Sequence, residues 1–232
     1  MAYVKTALFR ILLVFWTALF VLPIAYHIVA RSPYVHIRVS ARVWIWGIVY
    51  LLQLVCGLRH DVFYSREAVV RPVLYVSNHQ SIWETIVFFA LFPDVAIVAK
   101  KELFSIPIFG WYLKKLGMIP VNREGTGTNK AMLRMVKQTL HEGRDILIFP
   151  EGTRVPYKEE RVYQNDGIRV ILHFARNVCG REIPIVPIIH NAGRFWPRHG
   201  NIISPGCIKV YECYVTPLEK TERMVNHLKD LL

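Results

Sequence analysis

Acidic residues are absent from the first 60 positions of this 232-residue chain. Charged residues of either sign are also scarce, at 20% of the chain against 53% hydrophobic residues, and this balance excludes an intrinsically disordered protein. Six basic residues precede the first acidic residue, Asp61: Lys5, Arg10, Arg31, Arg38, Arg42 and Arg59. The formal net charge of +12 predicts an anionic partner. We expect acidic lipid or a phosphorylated substrate and no nucleic acid, because the sequence has neither a basic stripe with interleaved aromatic residues nor a nucleic-acid motif.

Cysteine is rare, and its spacing excludes a disulfide framework and a zinc site. The four cysteines form no Cys-x-x-Cys pair and show no zinc-site spacing with histidine. They stand at Cys56, Cys179, Cys207 and Cys213. We interpret them as reduced structural thiols, which fits a protein that faces the cytosol. No metal and no bound cofactor is expected.

Two long runs without a Lys, Arg, Asp or Glu residue, 11–30 and 43–58, lie in the acid-free part of the chain. As helices they would reach about 30 Å and about 24 Å, so the second is too short to span a bilayer comfortably. Pro23 and His27 interrupt the first. We therefore predict that residues 1–60 form a two-helix hairpin that dips into one leaflet, with its basic residues at anionic headgroups. A single signal-anchor helix and a pair of buried core helices are the alternatives.

After Pro72, short β-rich runs alternate with stretches of helical periodicity. The predicted strands are 73–77, 95–99, 118–121, 146–149, 185–189 and 208–215. The predicted helices are 81–91, 129–142, 167–177 and 221–232. This layout predicts an α/β domain over residues 61–232, in which helices flank a central mixed sheet.

The segment 77–84 reads Ser-Asn-His-Gln-Ser-Ile-Trp-Glu and lies between a predicted strand and a predicted helix, where α/β proteins carry their sites. His79 and Glu84 are five residues apart, so on one continuous helix they would not face each other. They can meet if His79 lies in the turn and Glu84 in the first helical turn. The carboxylate would then fix the imidazole tautomer and leave the other ring nitrogen free as a base. Alternatively, Glu84 is a structural cap, because Ser81 and Glu84 also form a capping box.

Two further segments carry cations at predicted strand ends. Lys100 and Lys101 precede an apolar loop that contains Ile-Pro-Ile-Phe-Gly-Trp, and a later segment ends at Arg123. The second segment, 149–154, reads Phe-Pro-Glu-Gly-Thr-Arg and combines a tight turn with the guanidinium of Arg154. Each alone is also typical of a solvated surface or a plain turn. The functional alternative is a phosphate grip at the lysine pair and a planar fork for a phosphate or a carboxylate at Arg154.

The order of these motifs, followed by Ile-Val-Pro-Ile at 185–188, resembles the glycerolipid acyltransferase family, and specifically the lysophosphatidic acid acyltransferases, over residues 72–198. The resemblance implies a glycerol-phosphate acyltransferase-like fold. It also implies transfer of a fatty acyl group from acyl-CoA or acyl carrier protein to the sn-2 hydroxyl of lysophosphatidic acid, giving phosphatidic acid in phospholipid biosynthesis. The enzyme would work at the cytosolic face of a membrane, which in a bacterium is the inner membrane.

The resemblance also implies roles for individual residues. His79 is the general base and Glu84 orients it, and the acceptor hydroxyl attacks the thioester directly without a Ser or Cys nucleophile. The implied phosphate-binding set is Arg154, Arg123, Lys100 and Lys101, with Glu151, Gly152 and Thr153 in the loop. Most members of the family carry Asp where this chain has Glu84. A different lysolipid acceptor, or a non-catalytic membrane-tethered lipid-binding protein, remains an alternative.

Overall fold

The computed structural model describes residues 1–65, 69–107, 109–122, 130–159, 162–200 and 202–229, with side chains up to residue 225. Within these residues, seven strands form one sheet. The strands are β1 (Leu58–Phe63), β2 (Leu74–Ser77), β3 (Ala96–Lys100), β4 (Ile119–Val121), β5 (Ile146–Ile148), β6 (Ile185–His190) and β7 (Gly206–Glu212). Their order is β1-β7-β6-β2-β5-β3-β4. Neighbours are parallel except β6 and β7, so the sheet is mixed, as predicted.

Helices cover this sheet and form the amino-terminal region. They are α1 (Ala2–Leu19), α2 (Val21–Val29), α3 (Tyr34–Leu51), α4 (Trp83–Leu91), α5 (Phe109–Lys115), α6 (Lys130–His141), α7 (Asp166–Cys179), α8 (Ala192–Phe195) and α9 (Leu218–Lys229). A π-helical turn, Leu52–Cys56, extends α3, and a 3-10 turn, Lys101–Ser105, follows β3. The six predicted strands and four predicted helices all have observed counterparts, and the ends that fall among the described residues lie within three residues of the predicted ones. The predicted helix ends at residues 129 and 232 lie outside the described residues.

Three observed elements had no counterpart in the prediction. β1 begins where the second apolar run ends, and it pairs in parallel with β7, so the predicted boundary between residues 60 and 61 falls inside a strand of the sheet. α5 lies where we expected an apolar loop. The short helix α8 follows β6 directly. The first apolar run breaks at Phe20, and Pro23 lies in the first turn of α2, where its missing N–H disrupts no helical hydrogen bond.

The amino-terminal helices pack on the sheet domain along one side only. Phe9, Ile37 and Ile45 are buried in the same apolar cluster as Trp83 and Phe88 of α4. The other side exposes apolar side chains, among them Tyr3, Val4, Leu8, Ile11, Val14, Phe15, Leu19, Val21 and Leu22. By length and composition, Ala2–Val29 and Tyr34–Cys56 could each cross a bilayer, which corrects the expectation that the second apolar segment is too short. In each segment, an 18-residue apolar window is only 17% and 39% buried, respectively. Two fully buried core helices therefore do not describe this region.

Two of its basic residues contact the protein, which corrects the expectation that they meet lipid headgroups. Arg38 forms an ion pair with Asp94. Arg42 donates through Nη2 to the carbonyl oxygen of Ala90 at 3.0 Å, at the end of α4. A guanidinium satisfies carbonyls that a helix end leaves without intrahelical partners, so this contact also holds α3 against α4. Lys5 and Arg31 are exposed.

The sheet brings the predicted motifs to one edge. β6, β2, β5, β3 and β4 run parallel, so their carboxyl ends lie together. The chain leaves β2 through α4 towards β3 on one side, and it leaves β5 through α7 towards β6 on the other. The direction of winding therefore reverses between β2 and β5, and α/β sheets open a crevice at such a point.

Candidate active site

The imidazole of His79 contacts the carboxylate of Glu84. His79 lies in the turn after β2 and Glu84 in the first turn of α4, and His79 Nδ1 is 2.9 Å from Glu84 Oε1. A carboxylate only accepts hydrogen bonds, so Nδ1 carries the proton and Nε2 keeps its lone pair. Nε2 makes no hydrogen bond with any described residue. The side chain of His79 is 12% exposed, so the free nitrogen can receive a proton from a bound molecule.

Glu84 also caps α4, so it makes both the contact with His79 and the capping contacts that the sequence suggested as alternatives. Its Oε1 accepts the backbone N–H groups of Gln80 at 2.7 Å and Ser81 at 2.6 Å, and Ser81 Oγ accepts from Trp83 N–H at 3.2 Å. The capping interaction needs the same oxygen that orients the imidazole. The helix N-terminus and these N–H groups stabilise a negative charge that is fully buried.

Glu84 is held in its charged form. Burial alone raises the pKa of the Glu84 carboxyl, but the nearby imidazoles of His190 and His79 and the hydrogen bonds from His79 and Ser81 N–H lower it by more. The net pKa therefore lies below the usual value for a glutamate. The carboxylate stays ionised at neutral pH and can stabilise an imidazolium at His79.

The loop after β5 holds the backbone of His79 on both sides. His79 N–H donates to Glu151 Oε2 at 3.0 Å, and Val155 N–H donates to the His79 carbonyl oxygen at 2.7 Å. The imidazole also stacks on Phe149, with ring centroids 4.5 Å apart. Two motifs that are 70 residues apart in the sequence therefore fix one side chain at the crevice between β2 and β5.

The end of β6 supports the same turn. Asn78 Nδ2 donates to the His190 carbonyl oxygen at 2.8 Å, and His190 N–H donates to Asn78 Oδ1 at 3.1 Å. The His190 ring lies within hydrogen-bond distance of the Asn78 carbonyl at Nε2 and of Ala192 N–H at Nδ1. One nitrogen donates and the other accepts, which requires a neutral ring, and burial lowers the pKa of His190 accordingly. Gln80 Oε1 accepts from Gly193 N–H at 3.1 Å.

The predicted phosphate-binding residues divide into three groups. Arg154 is half-buried in the loop after β5, and Lys100 and Lys101 stand at the end of β3, the strand beside β5, so the structure brings them to one edge. Lys100 Nζ lies 3.7 Å from Glu102 Oε2 at the exposed surface. Arg123 lies outside the described residues.

The other three residues of the predicted set shape the loop. Glu151 is 1% exposed and accepts His79 N–H, so its carboxylate holds the turn that carries His79. Gly152 has a φ of +69°, and a Cβ there would lie 2.9 Å from Gln164 Oε1, so the turn requires glycine. Thr153 Oγ1 accepts a hydrogen bond from Arg198 Nη1 at 2.8 Å.

Arg198 was missed by the sequence analysis. It lies in the segment after α8, and its Nη1 donates to both Thr153 Oγ1 and the Arg154 carbonyl oxygen, the latter at 3.0 Å. A single arginine between a proline and a histidine carries no spacing signal that could have marked it. Only the folded chain places it beside the loop.

The serines near His79 are not arranged as nucleophiles. Ser77 and Ser81 are fully buried. Ser77 Oγ donates to the Asn78 carbonyl at 3.1 Å, and Ser81 Oγ receives Trp83 N–H. Among the described residues, the imidazole of His79 hydrogen bonds to neither a hydroxyl nor a thiol. The arrangement fits a base that activates a substrate hydroxyl directly.

Comparisons with known proteins point to acyltransferases. The sequence model of a family described as Acyltransferase matches residues 62–191, more than half of the chain. The chain is 33% identical over 170 residues to the 1-acyl-sn-glycerol-3-phosphate acyltransferase of Pseudomonas aeruginosa, a match that covers 72% of this chain and 63% of the relative. It is 35% identical over 104 residues to the lyso-ornithine lipid O-acyltransferase of the same organism, covering 45% and 40%. The matches span less than two thirds of the length of these relatives.

The fold is also known. The structure superposes on the 1-acyl-sn-glycerophosphate (LPA) acyltransferase, PlsC, from Thermotoga maritima with a TM-score of 0.72, covering 100% of this chain and 95% of that chain. The two sequences are 17% identical, so this comparison shows a shared fold. It agrees with the predicted α/β architecture preceded by apolar helices.

Proposed function

Because the chain belongs to the acyltransferase family, we propose that it transfers a fatty acyl group from acyl-CoA or acyl carrier protein to the sn-2 hydroxyl of lysophosphatidic acid, forming phosphatidic acid. The observation that carries this proposal is the 2.9 Å contact between His79 Nδ1 and buried Glu84, which leaves Nε2 free at an edge lined by cations. The proposal needs no metal or bound cofactor, since the thioester supplies an activated acyl group.

The proposed reaction proceeds by direct attack. His79 Nε2 removes the proton of the acceptor hydroxyl as the oxygen attacks the thioester carbonyl carbon. The resulting imidazolium is stabilised by Glu84 through the Nδ1–H hydrogen bond. When the tetrahedral intermediate collapses, the carbon–sulfur bond breaks, and the proton passes from His79 to the leaving thiolate. The acyl oxygen ester and the free thiol are the products.

A phosphate-bearing acceptor fits the charges at this edge. Arg154, Lys101 and Arg198 form no ion pair with any described acidic residue. Guanidinium groups bind phosphate through paired, charge-assisted hydrogen bonds. We therefore propose Arg154 as the main phosphate ligand, with Lys100 and Lys101 assisting.

A lyso-ornithine lipid is the second candidate acceptor, because one similar protein is named for it. The test is a competition in which purified protein in vesicles receives oleoyl-CoA and equal amounts of lysophosphatidic acid and lyso-ornithine lipid. We expect phosphatidic acid to exceed the acylated ornithine lipid by more than about 10-fold, since each lost contact of a charged group costs about 1.5–3 kcal/mol. A preference for the ornithine lipid would reassign the acceptor.

We also propose that the protein works on the cytosolic leaflet, with the exposed apolar side of α1 and α2 in the lipid. Vesicle binding should survive a wash with about 1 M salt, where the Debye length is roughly 3 Å, because the apolar contact is not screened. The double variant Phe15→Glu, Leu22→Glu should be released, while Arg176→Gln, on the exposed surface of α7, should stay bound. Release of the wild-type protein by salt alone would show a purely electrostatic attachment.

A further inference from the structure

Arg198 is placed to act in the acceptor site. Its guanidinium is exposed, and a single nitrogen, Nη1, makes both hydrogen bonds to the loop that carries Arg154. Nε and Nη2 have no hydrogen-bond partner among the described residues. Two of the three guanidinium nitrogens of Arg198 are therefore available to a ligand at the same edge as Arg154.

Arg198 and Arg154 form no ion pair with an acidic residue in the described part of the chain. One carboxylate of the same loop, Glu151, is buried against His79 N–H. Two arginines at one edge raise the local positive potential and favour the binding of an anion. A phosphate group supplies the required charge and accepts several hydrogen bonds in the planar geometry that arginine offers.

We propose that Arg198 is a binding residue for the phosphate of the acceptor, together with Arg154. The proposal rests on the proposed function for the identity of the acceptor, whereas the binding of a glycerol phosphate group at this edge can be tested without it. Since Arg198 comes from the segment after β6 and Arg154 from the loop after β5, a bound phosphate would also tie these two segments together over the crevice that contains His79.

Steady-state kinetics distinguishes phosphate binding by Arg198 from a role in which Arg198 only holds the loop of Arg154. In Arg198→Gln, which loses the charge and is too short to reach the loop, we expect the KM for lysophosphatidic acid to rise about 10- to 100-fold, the range for a lost hydrogen bond to a charged group. The KM for oleoyl-CoA should change less than about 2-fold. Arg198→Lys should recover part of the acceptor affinity, because it keeps the charge without the planar fork. The matched control is Arg176→Gln, which removes the same charge from an exposed residue at the end of α7.

A second measurement does not depend on activity. Glycerol 3-phosphate should raise the melting temperature of the wild type and of Arg176→Gln, and should not raise that of Arg198→Gln. If the wild type makes no phosphatidic acid but shows this pattern, the proposed acceptor reaction fails and the phosphate site stands. Equal stabilisation of Arg198→Gln, or a lower kcat with an unchanged acceptor KM, would overturn the proposal and leave Arg198 as a loop clamp.

The phosphate groups of membrane phospholipids are the alternative ligand for Arg198. Binding of Arg198→Gln to vesicles that contain anionic phospholipid should equal that of the wild type, because the apolar side of α1 and α2 carries the attachment. Weaker vesicle binding with an unchanged KM for lysophosphatidic acid would place Arg198 at the bilayer surface and contradict its role in the acceptor site.

Discussion

Replacing His79 with alanine is expected to lower kcat by about 10²–10⁴-fold, the usual contribution of a general base. The acceptor hydroxyl then has no group to receive its proton, although the cations proposed to bind the phosphate remain. The variant loses the hydrogen bond to Glu84, about 1.5–3 kcal/mol, and the stacking contact with Phe149, about 0.5–1.5 kcal/mol. The fold should persist, because Glu84 keeps the N–H groups of Gln80 and Ser81. The measurement is initial-rate kinetics with purified variants in vesicles, together with a urea unfolding curve for each.

Two controls separate loss of the base from general damage. His173→Ala removes an exposed imidazole of α7, which hydrogen bonds to Asn177 on the same helix, and it should retain wild-type activity. Added imidazole should restore part of the rate of His79→Ala, because a free base can occupy the vacated space. A fully active His79→Ala variant would exclude His79 as the base.

Replacing Glu84 with glutamine is expected to lower kcat by about 10²-fold or more, with a small change in either KM. The N–H groups of Gln80 and Ser81 should keep an oxygen at the Oε1 position, so the tautomer of His79 survives and only the negative charge is lost. The lost charge raises the energy of the imidazolium in the transition state. Glu84→Asp keeps the charge on a shorter side chain and should retain more activity than Glu84→Gln.

Glu84→Ala removes the oxygen as well and should be the least active and least stable of the three variants. Two buried N–H groups then lose their acceptor, at about 1–3 kcal/mol each.

The pH dependence of stability is an independent check on the charge of Glu84. Because the folded-state pKa of Glu84 lies below its ordinary value, its stabilising effect is present above pH ~4.3 and is lost as the pH falls through the folded-state pKa. The stability difference between the wild type and Glu84→Gln should therefore shrink on acidification. Equal kcat values for the wild type and Glu84→Gln would reduce Glu84 to a helix cap.

The sequence predicts the parts of this fold that depend on local pattern. Buried strands such as 185–189 are short β-rich runs, and the side chains of α7 repeat with helical spacing, so both were found with small errors at their ends. β1 was not found because its first residue continues an apolar run and its pairing with β7 joins positions almost 150 residues apart. α5 was missed because Pro, Gly and aromatic residues in a short segment are equally typical of a loop.

In the site, too, local contacts could be predicted from the sequence and contacts between distant segments could not. The sequence predicted where His79 and Glu84 must lie if they meet at the strand-to-helix junction, and the structure shows this contact. Contacts between distant segments could not be predicted from the sequence, because they depend on the order of the strands. Examples are the hydrogen bond from His79 N–H to Glu151 and the hydrogen bond from Arg198 to the Arg154 carbonyl oxygen. The basic residue Arg38 was assigned to lipid because its partner, Asp94, lies 56 positions away.

Acyl transfer by the purified protein tests the central claim most directly. Wild-type protein in vesicles would receive oleoyl-CoA and lysophosphatidic acid, with free CoA measured by thiol reaction and phosphatidic acid by mass spectrometry. We predict that the two products form in equal amounts and that omission of lysophosphatidic acid abolishes CoA release. A folded protein that forms no phosphatidic acid, or that releases CoA at the same rate without the acceptor, would contradict the account.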